Sequence, residues 1–256
     1  RKEAERIYRI LDVQFDVTLG ESFYADMLDD VVAFFDESGL ALESEGALIV
    51  SLEEFDMAPC ILRTGRGTST YHSRDIAALL YRFEQYAFDK MIYVTDVTQS
   101  LHFRQLFKAI ELSGKPWIDR CTHAPFGLMT FKGEKISTRR GNTIFLEEVL
   151  DQAIELTAGI IAEKNPHLAD KEDVASKVGI SAVIFADVSH RCNRDIVFDL
   201  QEVLNFDGET GPYIQYTHAR FCSILRKHGE TPDFGTDFTM LGEAAEMRVA
   251  RTLANF

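Results

Sequence analysis

The pattern of apolar residues changes near residue 145, and that change limits the folds open to the chain. Up to that point short strand-like runs alternate with amphipathic helical stretches. Ser22 to Gly39 spaces Phe23, Leu28, Val31, Phe34 and Phe35 as one helical face, with Gly39 as the stop. Ala47 to Leu52 and Ala58 to Arg63 read as short strands, and Ser73 reads as the cap of a helix carrying Ile76, Leu79, Leu80 and Phe83. A compact strand follows at Met91 to Val97, then a helix at Leu101 to Ser113 ended by Gly114-Lys115-Pro116, then a strand at Phe126 to Phe131. Such alternation predicts an α/β fold with a parallel sheet.

Beyond residue 145 the strand pattern stops. Leu146, Val149, Leu150, Ala153, Leu156 and Ile160 form a helical stripe ending at Asn165-Pro166, and Asp170 opens a second helix with Val174, Val178 and Ile184. Gly211-Pro212 places a proline at a first helical position, ahead of Ile214, Thr217, Phe221, Ile224 and Leu225. The predicted organisation is therefore α/β over 1–145, all-α over 146–205, and a further helical region over 206–256. No internal repeat or low-complexity segment interrupts it.

Composition narrows the class. The chain has 256 residues, 46% hydrophobic and 27% charged, as a globular protein does. No apolar run approaches the roughly 18 residues of a membrane span. No basic leader with an apolar core opens the chain, so a cytoplasmic protein is expected. The four cysteines, Cys60, Cys121, Cys192 and Cys222, form no CxxC pair, and the seven histidines show no metal-binding spacing. Reduced thiols and no structural metal are expected. A formal charge of −14 argues against indiscriminate nucleic-acid binding, though a local basic patch can still meet a specific RNA.

Against that acidic total, Lys132 to Asn142 holds four Lys/Arg and one Glu. Lys135-Ile136-Ser137-Thr138-Arg139-Arg140-Gly141-Asn142 has the charge and small residues to cradle a phosphate, or it is a solvated turn. Tyr71 and Asp75 flank the predicted cap Ser73, placing Asp75 in a first helical turn where the helix dipole favours its charge. A carboxylate and a phenol so placed can clamp a guanidinium; they also suit a capping Asp and a core Tyr. Gln99 and His102 follow the strand Met91 to Val97, at the end where open α/β sheets gather ligands, or they are ordinary loop residues. His123 and Phe126, on either side of Pro125, could border a base. Gly208 to Arg220 is dense in Tyr, Gln, His and Arg, suited either to RNA contact or to interhelical packing.

These segments, taken in order, resemble one family. Gly67 to Asp75, Phe88 to Val94, Gln99 to Gln105, Lys135 to Arg139 and Gly208 to Tyr213 resemble, in that order, the catalytic domain of the arginyl-tRNA synthetases. The likeness runs from about residue 55 to residue 226. It implies a class I Rossmann-type enzyme that activates arginine with ATP and Mg2+ and transfers it to tRNA(Arg). By matching positions, Tyr71, Asp75 and Gln99 would bind arginine, while His102, His123, Phe126, Met129 and Lys135 would serve the ATP site. Lys135, Ser137 and Arg139 would be the catalytic signature loop, and Tyr213, Gln215, Tyr216 and Arg220 would meet tRNA. No tightly bound cofactor and a monomer are implied.

Two departures stand out. Thr138 replaces the second Lys of the class signature, and the His-x-Gly-His signature is absent. With Arg1-Lys2 in place of an initial Met, the chain reads as an internal fragment inactive by itself. On this reading 1–145 is the C-terminal half of the catalytic domain, 146–205 a helical connecting region, and 206–256 the start of an anticodon-binding domain. Another class I synthetase and a non-catalytic tRNA-binding paralogue are the alternatives.

Overall fold

The computed structural model describes residues 2–131, 134–135, 145–205, 207–229 and 238–256, with only the backbone at 131 and 134–135. The chain divides into two compact units, Arg1–Pro212 and Tyr213–Phe256.

The first unit opens with helix α1 (Lys2–Ile10), followed by a 3-10 turn at Glu21–Met27 and helix α2 (Leu28–Glu37). The helix expected over Ser22 to Gly39 is thus split, its first third wound more tightly. Strands β1 (Ala41–Ser44), β2 (Ala47–Val50) and β3 (Cys60–Arg63) form an antiparallel meander. This hairpin sheet departs from the all-parallel expectation: Ala-Leu-Glu-Ser in β1 is too polar to read as a strand until it pairs with β2.

Helix α3 (Tyr71–Tyr86) begins at a reciprocal cap. Thr70 Oγ1 accepts from the Ser73 backbone N–H at 3.4 Å, and Ser73 Oγ accepts from the Thr70 N–H at 3.1 Å. The cap is therefore Thr70, three residues ahead of the expected Ser73. Ser73 Oγ also donates to the Leu62 carbonyl at 2.5 Å, and Thr70 Oγ1 donates to that of Ile61, so β3 fixes where α3 starts.

Strand β4 (Met91–Asp96), helix α4 (Ser100–Leu112) and strand β5 (Cys121–Phe126) form a β-α-β unit. The two strands run parallel, with Met91 opposite Cys121 and Asp96 opposite Phe126, so both carboxyl ends reach the same edge. Phe35, Leu62, Ile76, Leu79, Leu106 and Ile110 fill the core between these helices and strands, each at most 1% exposed. Trp117, in the same core, stacks on Phe83 at 4.3 Å.

Strands β6 (Met129–Phe131) and β7 (Glu134–Lys135) follow, then helices α5 (Leu146–Lys164) and α6 (Lys171–Val188), strand β8 (Ile196–Phe198) and the short helix α7 (Leu200–Val203). The strand expected over Phe126 to Phe131 is broken at Gly127. There the chain crosses the 192–195 loop: the Gly127 N–H donates to the Cys192 carbonyl at 2.7 Å, and the Leu128 N–H to Asp195 Oδ1 at 2.8 Å. A Cβ on Gly127 would lie 2.2 Å from the Arg194 carbonyl, so only glycine fits. Strand β8 corrects the expectation that strands end near residue 145, since it pairs in parallel with β6, Met129 to Ile196 and Phe131 to Phe198. Helices α5 and α6 pack over a second core of Val149, Leu150, Ala153, Ala182, Val183 and Phe198. Their closest approach is at Gly179, where a Cβ would stand 2.8 Å from the Ala153 carbonyl oxygen.

Helix α8 (Gly211–His228) starts with buried Gly211 and Pro212 in the first unit and continues as the first helix of the second. In the second unit a 3-10 turn at Phe238–Met240 precedes helix α9 (Ala244–Asn255). Neither α9 nor the part of α8 in this unit carries a fully buried side chain.

Candidate functional site

The carboxyl ends of β4 and β5 and the first turns of α3 and α4 carry a connected set of polar and aromatic side chains. Asp96, the last residue of β4, organises the turn into α4. Its Oδ1 accepts from the Thr98 N–H and its Oδ2 from Gln99 Nε2, both at 2.9 Å, while Thr98 Oγ1 adds a third donor. Donation from Thr98, then from Gln99, holds the Asp96 carboxyl below its usual range. Gln99 itself is exposed, its carbonyl oxygen available to a ligand.

Asp75 lies on α3 at the fifth residue, because the helix begins at Tyr71. It is therefore past the first turn, where the sequence had placed it, and its partner is a side chain. His102 Nε2, on α4, donates to Asp75 Oδ2 at 2.6 Å. Tyr71 is 62% exposed and lies with its ring 5.0 Å from that of His102 and 4.5 Å from that of His72. An exposed ring and a half-exposed carboxylate on one helix end suit a planar cation, which can stack on the phenol and hydrogen-bond to the oxygens.

Behind them the polar groups are fixed. Gln105 Nε2 donates to the Ala58 carbonyl at 2.7 Å, so its Oε1 is the atom that meets His72 Nε2, at 3.3 Å. His72 must then carry its proton on Nε2. Burial, and next the neighbouring His102, pull the His72 pKa down to about 4, so the ring is neutral near pH 7. Phe103 links this group to β5: it meets His102 at 5.0 Å and stacks on His123 at 4.6 Å. His123 Nε2 bonds to Thr95 Oγ1 at 2.9 Å, and burial lowers its pKa. Phe126 closes β5 at 43% exposure, and Met129 opens β6 at 39%.

Of the residues singled out in the sequence, Gln99 and Phe126 lie at the carboxyl edge of the parallel pair, Tyr71, Asp75 and His102 near the starts of α3 and α4, and His123 in the middle of β5, opposite Tyr93 of β4. Lys135 contributes its backbone to β7; Ser137 and Arg139 lie outside the described residues. Tyr213, Gln215, Tyr216 and Arg220 lie on α8 in the other unit, with Tyr213, Tyr216 and Arg220 exposed. Sequence reasoning missed Asp96, His72 and Gln105. Asp96 ends a strand immediately before Gln99, and that position could have marked it. Among the described residues no group of three or more His, Cys, Asp or Glu side chains could hold a metal ion.

A parallel strand pair with polar groups at its carboxyl edge, followed by packed helices, is the architecture of class I synthetase catalytic domains. Two solved structures share it closely: the arginyl-tRNA synthetase of Thermus thermophilus (TM-score 0.82, 27% identity, covering 100% of this chain and 50% of that one) and that of Plasmodium falciparum (TM-score 0.80, 28% identity, 97% and 43%). The sequence profile of the family "tRNA synthetases class I (R), catalytic domain" matches residues 1–200, and the chain belongs to that family. Among curated relatives, the arginine–tRNA ligase of Clostridium kluyveri is 48% identical over 257 residues and that of Clostridium beijerinckii 48% over 256, each alignment covering 100% of this chain. The chain spans 45% of the length of these relatives.

Proposed function

We propose that the protein carrying this chain is an arginine–tRNA ligase. The observation that carries the reading is that the Asp75 carboxylate and the exposed Tyr71 ring, both near the start of α3, meet the same side chain, His102 of α4. An uncharged amino acid has no use for that carboxylate, whereas a guanidinium offers planar donors to it and a flat face to the phenol. Gln99, anchored through its amide nitrogen to Asp96, presents its oxygen to the α-ammonium group of the amino acid. His123, Phe126 and Met129 border the adenine of MgATP. In the first step the arginine carboxylate attacks the α-phosphate and pyrophosphate leaves. In the second the terminal ribose hydroxyl of tRNA attacks the carbonyl carbon and AMP leaves. Most of the acceleration comes from holding carboxylate and α-phosphate in line.

The basic loop with Lys135, Ser137 and Arg139 is assigned to the phosphates, where cationic donors stabilise the departing pyrophosphate. The domain reading follows: residues 1–145 carry catalysis, 146–205 connect, and 206–256 open the anticodon-binding region, with Tyr213, Gln215, Tyr216 and Arg220 toward tRNA. A monomeric, cytoplasmic protein completes the reading; separately, among the described residues no helix is long and apolar enough to cross a membrane.

In the full-length protein Asp75→Ala should raise the arginine KM by about 10- to 100-fold, the weight of a charge-assisted hydrogen bond, and leave the ATP KM nearly as it was. An unchanged arginine KM would remove Asp75 from the site.

A further inference from the structure

At the amino end of β4, away from the edge described above, the first unit has a cavity of about 530 Å³. Loop 14–19, Tyr24 of the 3-10 turn, the C-terminal part of α3 at Arg82 and Tyr86, and Phe88 and Met91 form its walls. Met91 and Asp96 are the two ends of one strand, so about 17 Å of β4 separates this cavity from the candidate site.

Arg82 is the only cation among the described residues that line it. Its Cζ lies 5.8 Å from the centroid of the Tyr24 ring and 5.9 Å from that of Tyr93, so two aromatic faces hold the guanidinium. Among the described residues no carboxylate makes an ion pair with it. Tyr24 and Tyr93 are 3% and 8% exposed, and each buries a hydroxyl that has no hydrogen-bond partner. Both phenols stand near enough to Arg82 to act on its charge, but in a geometry that makes no hydrogen bond. A buried hydroxyl without a partner is rare in a folded protein, and that of Tyr24 belongs to a residue of the cavity wall.

We propose that this cavity binds a small organic carboxylate, its head held by the Arg82 guanidinium and the Tyr24 hydroxyl and its apolar body against Phe15, Val17 and Met91. A planar carboxylate takes two parallel N–H donors from one guanidinium and keeps lone pairs for a phenol. A dianion such as phosphate fits less well, because it would meet one cation and be repelled by Asp16, the other charged residue of the lining. Phe15 and Val17 are 59% and 53% exposed, and with Leu19, Phe88 and Met91 they make most of the remaining wall apolar, which suits a ligand with an aliphatic or aromatic body. The volume lies within the roughly 300–1,000 Å³ of small-molecule sites. The site shares no residue with the arginine clamp, so either reading can fail without the other.

The probe is 3-phenylpropionate, its binding to the full-length protein read by ligand-detected NMR. Saturable binding with a dissociation constant on the order of 1 mM or tighter is expected, unchanged by saturating arginine and ATP. 3-Phenylpropanamide, which keeps the body and removes the charge, should bind at least about tenfold more weakly. Inorganic phosphate should not displace the acid. Arg82→Met, which keeps an apolar stem, should lose about tenfold or more, and Tyr24→Phe, which removes only the hydroxyl, about 3- to 10-fold. No saturable binding by the wild type overturns the proposal, as does equal binding of acid and amide. Displacement by arginine, ATP or phosphate overturns it too, since the acid would then occupy another site or a general anion site. Undiminished binding in Arg82→Met or in Tyr24→Phe does the same, and the second variant keeps the test decisive if the first does not fold.

Discussion

His72 shows what burial does to a single titratable ring in this site. In the folded protein its pKa is about 4, and an exposed histidine sits at 6.5. As pH falls below 6.5 the unfolded chain takes up a proton that the folded chain refuses until about pH 4. Folded stability is therefore unaffected by this group above that window and declines through it as pH drops. The urea midpoint of the wild type should fall between pH 6.5 and 4 by more than that of His72→Gln. The difference should be on the order of 2 kcal/mol. Parallel declines in the two proteins would contradict the assignment. At this scale residue type was legible and partnership was not. Tyr71 and Asp75 were open in the sequence to two readings, a guanidinium clamp or a capping Asp with a core Tyr, and only the family resemblance chose between them. That Asp75 is tied to His102, 27 residues on, depends on how α3 packs beside α4, and no local pattern encodes it. The same holds for Gln105, whose role comes from the Ala58 carbonyl 47 residues earlier.

Among the elements, long periodic segments were legible and short or doubly signalled ones were not. The helices at Tyr71–Tyr86, Ser100–Leu112, Leu146–Lys164 and Lys171–Val188 follow their apolar spacing. The α3 start was misplaced because Thr70 and Ser73 are both good caps three residues apart, and the hydrogen bonds to β3 decide between them. Strand β8 escaped detection because three residues, Ile196–Phe198, carry no period, and β6 lies far upstream in the chain. That pairing depends on Gly127. Gly127→Ala would force a methyl group into the Arg194 backbone, and should lower stability by about 2–3 kcal/mol, as overpacking of a fixed backbone does. A urea unfolding midpoint equal to that of the wild type would show that the crossing is looser than 2.2 Å implies.

Over the whole molecule, charge and family likeness carry the account. A formal charge of −14 opposes indiscriminate contact with nucleic acid, so on the proposed reading a tRNA would have to be met by local patches. The predominance of helix beyond residue 145 was visible in the periodicity, but the return of the chain to the sheet at β8 was not. The antiparallel meander β1–β3 was not, since pairing direction has no local signature. The basic run from Lys135 to Arg139, most of it outside the described residues, is read as a phosphate loop only through the order of the segments around it, because a short run of Lys, Ser and Arg fits a solvated turn equally well. The most direct test of the central claim is pyrophosphate exchange into ATP by the full-length protein, with tRNA present and each amino acid supplied singly. Exchange that depends on arginine, and on no other amino acid, is the predicted result; exchange with a different amino acid and none with arginine would contradict it.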